Sequence, residues 1–335
     1  MKKLNFEQIE KLAHGVARLE EGDGKISFFR FTKEQQELYK TTSEDFYIKS
    51  FATSGVSLEF ITDSEKMSLS VSVSKGSSRT FFTHSIIVDG KRVDELSGNI
   101  GDGKNMLFEK SFKLESGMKR VKIQFPWSAT SSLVALELDD NAIITPIEKK
   151  VKLLMFGDSI TQGYDAMIPE NAYAMRIADR FEAEARNKGI GGERFFAELT
   201  AEKENFEPQI ITVAYGTNDW RHSTKEKFER ECKGFFNNLR ESYPNAKIVA
   251  ITPIWRADID KRQEFGEPLS FIAEYISKVA ETVSDMTVIN GIELVPHDLQ
   301  YYQTDGLHPI DSGFEKYADS LWDEMCKELT LCSKI

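Results

Sequence analysis

The run Val151-Lys152-Leu153-Leu154-Met155-Phe156-Gly157-Asp158-Ser159-Ile160-Thr161 sets the architecture of the second half of this 335-residue chain. Its first six residues are a short apolar stretch of the kind that makes a buried strand, a Gly-Asp pair turns the chain, and a helical segment follows. A serine placed there stands at the carboxyl edge of a sheet, where ligands of parallel sheets sit. The same turn suits a helix-capping serine equally well. Further apolar strands, Ile210-Ile211-Thr212-Val213-Ala214 and Ile248-Val249-Ala250-Ile251, alternate with helical stretches near 171–185, 224–242, 268–284 and 312–330. Strand and helix in alternation predict an α/β three-layer fold, a parallel sheet covered on both faces.

Upstream the period changes to two. Val56-Ser57-Leu58-Glu59-Phe60, Met67-Ser68-Leu69-Ser70-Val71-Ser72-Val73 and Val121-Lys122-Ile123-Gln124-Phe125 alternate apolar with polar, as strands with one wet face do. Asp89-Gly90 after Ser85-Ile86-Ile87-Val88 marks a hairpin, since both turn positions need positive φ. Helical periodicity is almost absent between the first 20 residues and position 150. An N-terminal all-β sandwich of jelly-roll kind is therefore expected over residues 1–148, with the charged stretch Ile147-Glu148-Lys149-Lys150 leading into a catalytic unit over 149–335.

A net charge of −11 excludes a phosphate backbone as partner, because clustered Lys and Arg are missing; no nucleic acid is expected. No apolar run approaches the roughly 20 residues that span a bilayer, and Met1-Lys2-Lys3-Leu4-Asn5 turns polar at once, so neither a membrane span nor a signal peptide is expected. Cys232, Cys326 and Cys332 are odd in number, lack metal-ligand spacing and read as ordinary helix residues. Together these features predict a cytoplasmic protein, although a secreted chain trimmed of its leader would read the same. No cofactor and no metal are called for. Association into a homo-oligomer is left open.

Three further stretches carry chemistry. Asp305-Gly306-Leu307-His308-Pro309 places an Asp three residues before a His on a tight loop, so that the carboxylate can bond Nδ1 and leave Nε2 to take a serine proton. Tyr215-Gly216-Thr217-Asn218-Asp219-Trp220 follows a strand, and an Asn amide there can donate to an oxyanion. Asn187-Lys188-Gly189-Ile190-Gly191-Gly192 is a glycine-bearing loop that lets a backbone N–H approach a substrate. His14, His84, His222 and His297 have no partner at helical or metal-ligand spacing and read as surface or core residues. His222 is kept in view, lying three residues after Asp219.

Ser159, the glycines at 189–192, Asn218 and His308 come in the order of the four blocks of the SGNH (GDSL-type) hydrolase superfamily, which this chain resembles over about residues 150–330. The resemblance implies a flavodoxin-like parallel sheet, Ser159 as nucleophile and oxyanion donor, Gly192 and Asn218 as further donors, and His308 as base oriented by Asp305. Gly189 or Gly191 can stand for Gly192 in the second block. Ser159 is followed by Ile160-Thr161, so the Gly-x-Ser-x-Gly elbow of α/β-hydrolases is absent, as is any P-loop run.

A β-sandwich followed by such a domain resembles the second family of carbohydrate esterases, which remove acetyl groups from polysaccharides and oligosaccharides. Some of that family lack the acid of the triad, whereas Asp305 is present here. Trp220 and Trp255 follow strands and can stack on a sugar, and Arg256 can bond a sugar hydroxyl or carboxylate. The expected activity is a serine acetylesterase working through an acyl-enzyme. The alternatives are a lysophospholipase or thioesterase acting on lipid acyl groups, and a carbohydrate-binding protein with a vestigial hydrolase domain.

Overall fold

A computed structural model describes residues 1–261 and 263–329; Cys332 and the expected end of the last helix at 330 lie outside the described residues. The chain forms two units, Met1–Lys149 together with Ile168–Glu170, and Lys150–Met167 together with Asn171 onward.

In the first unit the alternating runs become strands. Met67, Leu69, Val71 and Val73 of the strand Lys66–Lys75 are fully buried in a core shared with Leu58, Phe60, Val121 and Ile123. Two antiparallel sheets result among the described residues. One orders Arg18–Gly22, Lys25–Phe29, Ala129–Leu138, Lys66–Lys75 and Met106–Lys113; the other orders Ile144–Pro146, Ser57–Thr62, Lys119–Gln124, Phe81–Val88 and Lys91–Asn99. Val88 pairs with Lys91 across Asp89-Gly90, whose φ values of 48° and 77° are those of the expected hairpin.

Helix enters this unit where almost none was expected, at Lys33–Thr42 and Glu44–Ser50. The first begins on a capping box: the Gln35 amide donates to Thr32 Oγ1, and the Thr32 amide donates to Gln35 Oε1, both at 3.2 Å. Ser43 caps the second through the Phe46 amide. The helix starts were thus local signals, hidden because few apolar residues follow them.

The second unit carries, numbered within it, five parallel strands among the described residues: β1 Val151–Gly157, β2 Ala183–Asn187, β3 Ile210–Ala214, β4 Lys247–Ile251 and β5 Met286–Ile289. Their spatial order is β2-β1-β3-β4-β5, the flavodoxin-like order whose direction of travel reverses between β1 and β3. Right-handed crossovers then put the helices before and after that reversal on opposite faces. Accordingly α2 (Tyr173–Arg180) packs with α6 (Asp311–Glu328), while α4 (Lys225–Ser242) packs with α5 (Ser270–Ala280). The short helices α1 (Ser159–Gln162) and α3 (Thr217–His222) follow β1 and β3 directly.

The stretch expected to be helical over 171–185 instead breaks at Phe181, Glu182 takes φ 45°, and β2 begins. Ala183 and Ala185 point inward and pair with Val151 and Leu153. Good helix formers are here overruled by sheet pairing.

Candidate active site

Ser159 stands where the turn after β1 predicts it. Asp158, not Ser159, caps α1: its carboxylate accepts the Ile160 amide at 2.9 Å. The serine hydroxyl is thereby left for another partner, and Ser159 Oγ lies 2.8 Å from His308 Nε2. The tight turn depends on Gly157, because a Cβ there would come within 2.0 Å of Thr161 Oγ1.

His308 is held by its own loop. Its Nδ1 lies 2.6 Å from Asp305 Oδ2, while Asp305 Oδ1 accepts the amides of Leu307 and His308. Partial burial pushes the Asp305 carboxyl up, but the bonds from the His308 ring and the two amides outweigh it and hold the group well below the usual carboxylate range. A hydroxyl bonded to an imidazole that is bonded to a carboxylate is the arrangement of an activated nucleophile.

Two other loops reach the same edge of the sheet. The Gly189 amide donates to Asn187 Oδ1 and the Gly191 amide to Gln162 Oε1, at 2.8 and 2.7 Å. Gly189 and Gly191 are buried, whereas Gly192 is exposed with φ 88°. Asn218 Nδ2 donates to the carbonyl of Glu193 at 3.1 Å, and Glu193 accepts the Tyr215 hydroxyl at 2.7 Å. The first three blocks are thus bonded in succession along the carboxyl ends of β1, β2 and β3.

Asp158 and Asp219 are buried acids beside these loops. Burial pushes the Asp158 carboxyl up to about 6, against an opposing pull from His308 and Arg256. Burial likewise pushes Asp219 up to about 7, its hydrogen bond from the Phe195 amide notwithstanding.

Two expected substrate contacts do not survive. Trp220 is 1% exposed and its indole N–H donates to the Glu267 carbonyl. Arg256, also 1% exposed, forks onto Asp258 and donates to Thr217, with its guanidinium over the Trp220 ring. Both are core residues: Trp220 lies on the inner face of α3 and Arg256 in the loop after β4, and the side to which each turns is not revealed by strand order. Trp255 is half-buried, stacked on His297 at 5.4 Å and edge-on to Tyr302. Among the other histidines, His84 is buried against Ser131, and His222 is exposed at the end of α3. Cys232 is buried and its thiol pushed up by burial.

Sequence reasoning missed Tyr164 and Asp165. The Tyr164 ring stacks on His308 at 5.7 Å between centroids, and Asp165 Oδ2 lies 3.9 Å from His308 Nδ1. Their only sequence signal is proximity to Ser159. No helix among the described residues is long and apolar enough to cross a membrane.

Residues 155–316 match the GDSL-like lipase/acylhydrolase family. A comparison with curated protein sequences gives no match. Among solved structures the chain is similar to the salicylyl-acyltransferase SsfX3 from a tetracycline biosynthetic pathway, with a TM-score of 0.78, 20% identity and 94% of each chain covered. It is also similar to a family two carbohydrate esterase from Clostridium thermocellum in complex with cellohexaose, with a TM-score of 0.65, 17% identity, and 84% of this chain and 94% of that one covered. An acetyl xylan esterase (Est2A) from the rumen bacterium Butyrivibrio proteoclasticus aligns with a TM-score of 0.63, 16% identity, and 84% and 92% coverage. These likenesses speak for the fold across both units, and the family match speaks for the chemistry. The second unit therefore carries a domain of the GDSL-like lipase/acylhydrolase family, and the protein is a carboxylic ester hydrolase.

Proposed function

We propose that the protein removes short acyl groups, acetyl above all, from hydroxyls of oligosaccharides or polysaccharides through a Ser159-His308-Asp305 triad. The observation that carries the reading is the unbroken chain from Ser159 Oγ through the His308 ring to Asp305, at 2.8 and 2.6 Å. Ser159 Oγ attacks the ester carbonyl while His308 Nε2 takes its proton. The oxyanion of the tetrahedral intermediate is held by the amides of Ser159 and Gly192 and by Asn218 Nδ2. Of the three glycines, Gly192 is favoured because Gly189 and Gly191 already spend their amides on Asn187 and Gln162. Collapse expels the sugar hydroxyl, which leaves with the proton from His308. Water, deprotonated by the same ring, then releases the carboxylic acid and frees Ser159.

The carbohydrate side of the reading is supported by the two-unit fold shared with a family two carbohydrate esterase in complex with cellohexaose and with an acetyl xylan esterase, and by Trp255, half-exposed near the Asp305 loop: the Ala257 amide donates to the Gly306 carbonyl at 2.8 Å. The likeness to an acyltransferase favours a second reading, in which an alcohol other than water accepts the acyl group. Product analysis separates them. The test is acetate release from acetylated xylan and mannan oligosaccharides, set beside acyl-CoA and lysophospholipid, with Ser159→Ala as control. Preferential acetate release that disappears in the variant is the expected result; faster turnover of the lipid or thioester, or hydrolysis that survives Ser159→Ala, overturns the proposal.

A further inference from the structure

The chain leaves α1 through Gly163, where φ is 103°, and doubles back so that the Tyr164 amide donates to the Ser159 carbonyl at 2.9 Å. This return lays the Tyr164 ring on the His308 imidazole, nearly parallel at 28°. The hydroxyl end of the ring needs room at Gly191, where a Cβ would stand 2.7 Å from it. Asp165 comes next, in the left-handed region at φ 69°, and its carboxylate faces the same His308 nitrogen that bonds Asp305.

The two acids differ in setting. Asp305 is close, at 2.6 Å, but its side chain is 43% exposed, while Asp165 is 3.9 Å away with 8% exposed. Water screens the charge of an exposed acid strongly and that of a buried one far less, so the longer distance is offset by the lower local dielectric. The groups facing the His308 ring are then Ser159, Asp305, Asp165 and Tyr164, with Asp158 acting on it through space.

We infer that Asp165 is a second acid of this site, a positioning residue that steadies the protonated imidazole alongside Asp305. The inference rests on the Ser159 mechanism proposed above. Its consequence is that the enzyme tolerates damage to Asp305 better than a hydrolase with one triad carboxylate.

The experiment measures kcat and KM for p-nitrophenyl acetate in D305N, D165N, D165E and the D165N/D305N double variant. D305N is expected to lose about 10²-fold, against the roughly 10⁴-fold cost of neutralising a lone triad acid. D165N is expected to lose about tenfold, all of it in kcat, because a residue that steadies the imidazole acts on the reacting state and not on substrate binding. D165E should restore kcat, and the double variant should fall to about the 10⁴-fold loss of an enzyme with neither acid. A D165N loss that falls on KM alone, or a double variant no slower than D305N, overturns the inference while leaving the triad intact. Hydrolysis undiminished in S159A would instead overturn the mechanism beneath it.

Discussion

Glu59 in the first unit and Asp219 in the second are both buried carboxylates, yet their surroundings push them in opposite directions. Glu59 accepts from Lys149 at 2.6 Å and Arg120 at 2.9 Å, with Lys122 at 3.9 Å. Burial raises its carboxyl, but these cations overcome the rise and leave it far below the usual range. Asp219 and Asp158 are bonded by backbone amides and sit well above it. The second unit also pairs a buried charge at the start of its glycine-bearing loop, with Lys188 Nζ 2.6 Å from Glu204. Where buried acids hold sheets together they are given cations. The two that flank Ser159 and Asn218 accept backbone amides instead, with Arg256 and Arg194 acting on them only through space, and buried acids in that costly state are a common feature of functional sites.

The sharpest way to break this contrast is Asn218→Ala. It is expected to lower kcat/KM by about 10²- to 10³-fold, the cost of one oxyanion donor, with the thermal midpoint nearly unmoved. A large fall in stability without a fall in rate would erase the distinction. Glu59→Ala is the mirror image: it removes the carboxylate that the buried Lys149 ammonium is bonded to and should cost roughly 3 kcal/mol in denaturant unfolding, leaving kcat/KM of the folded enzyme unchanged.

Asp219→Asn sharpens the comparison through pH. A carboxyl near 4 in the unfolded chain and near 7 in the folded one binds its proton more tightly when folded. Its stabilising contribution is complete below about pH 4 and fades as pH rises through 7. The variant should therefore gain about 1 to 3 kcal/mol over the parent at pH 8 and little at pH 4, read from denaturant midpoints. An equal gain at both pH values would remove burial as the cause. Trp255→Ala tests a smaller contrast, that between the half-exposed Trp255 and the enclosed Trp220. It should slow an acetylated oligosaccharide about 5-fold more than p-nitrophenyl acetate, on the order of one lost stacking contact. Equal losses on both substrates would remove the sugar platform.

Much of this was legible in order and period. The strand, turn and serine at 151–161, the Asp89-Gly90 hairpin and the parallel strands at 210–214 and 248–251 all follow from local pattern. What failed was decided by partners distant in sequence. Ala183-Glu184-Ala185 reads as helix until Val151–Leu153 lies beside it. Trp220 and Arg256 read as site residues until the Glu267 carbonyl and Asp258 enclose them. Tyr164 and Asp165 reach the site by a fold-back at a left-handed glycine, which shifts side chains off any periodic face.

The bond from Asn218 Nδ2 to the Glu193 carbonyl joins the third block to the residue that follows Gly192. The loop that carries Gly192 and the turn that carries Asn218, the second and third oxyanion donors of the proposed mechanism, are therefore tied to each other. Neighbours bonded in this way couple, so substitutions at the two positions are expected to give losses that overlap rather than multiply.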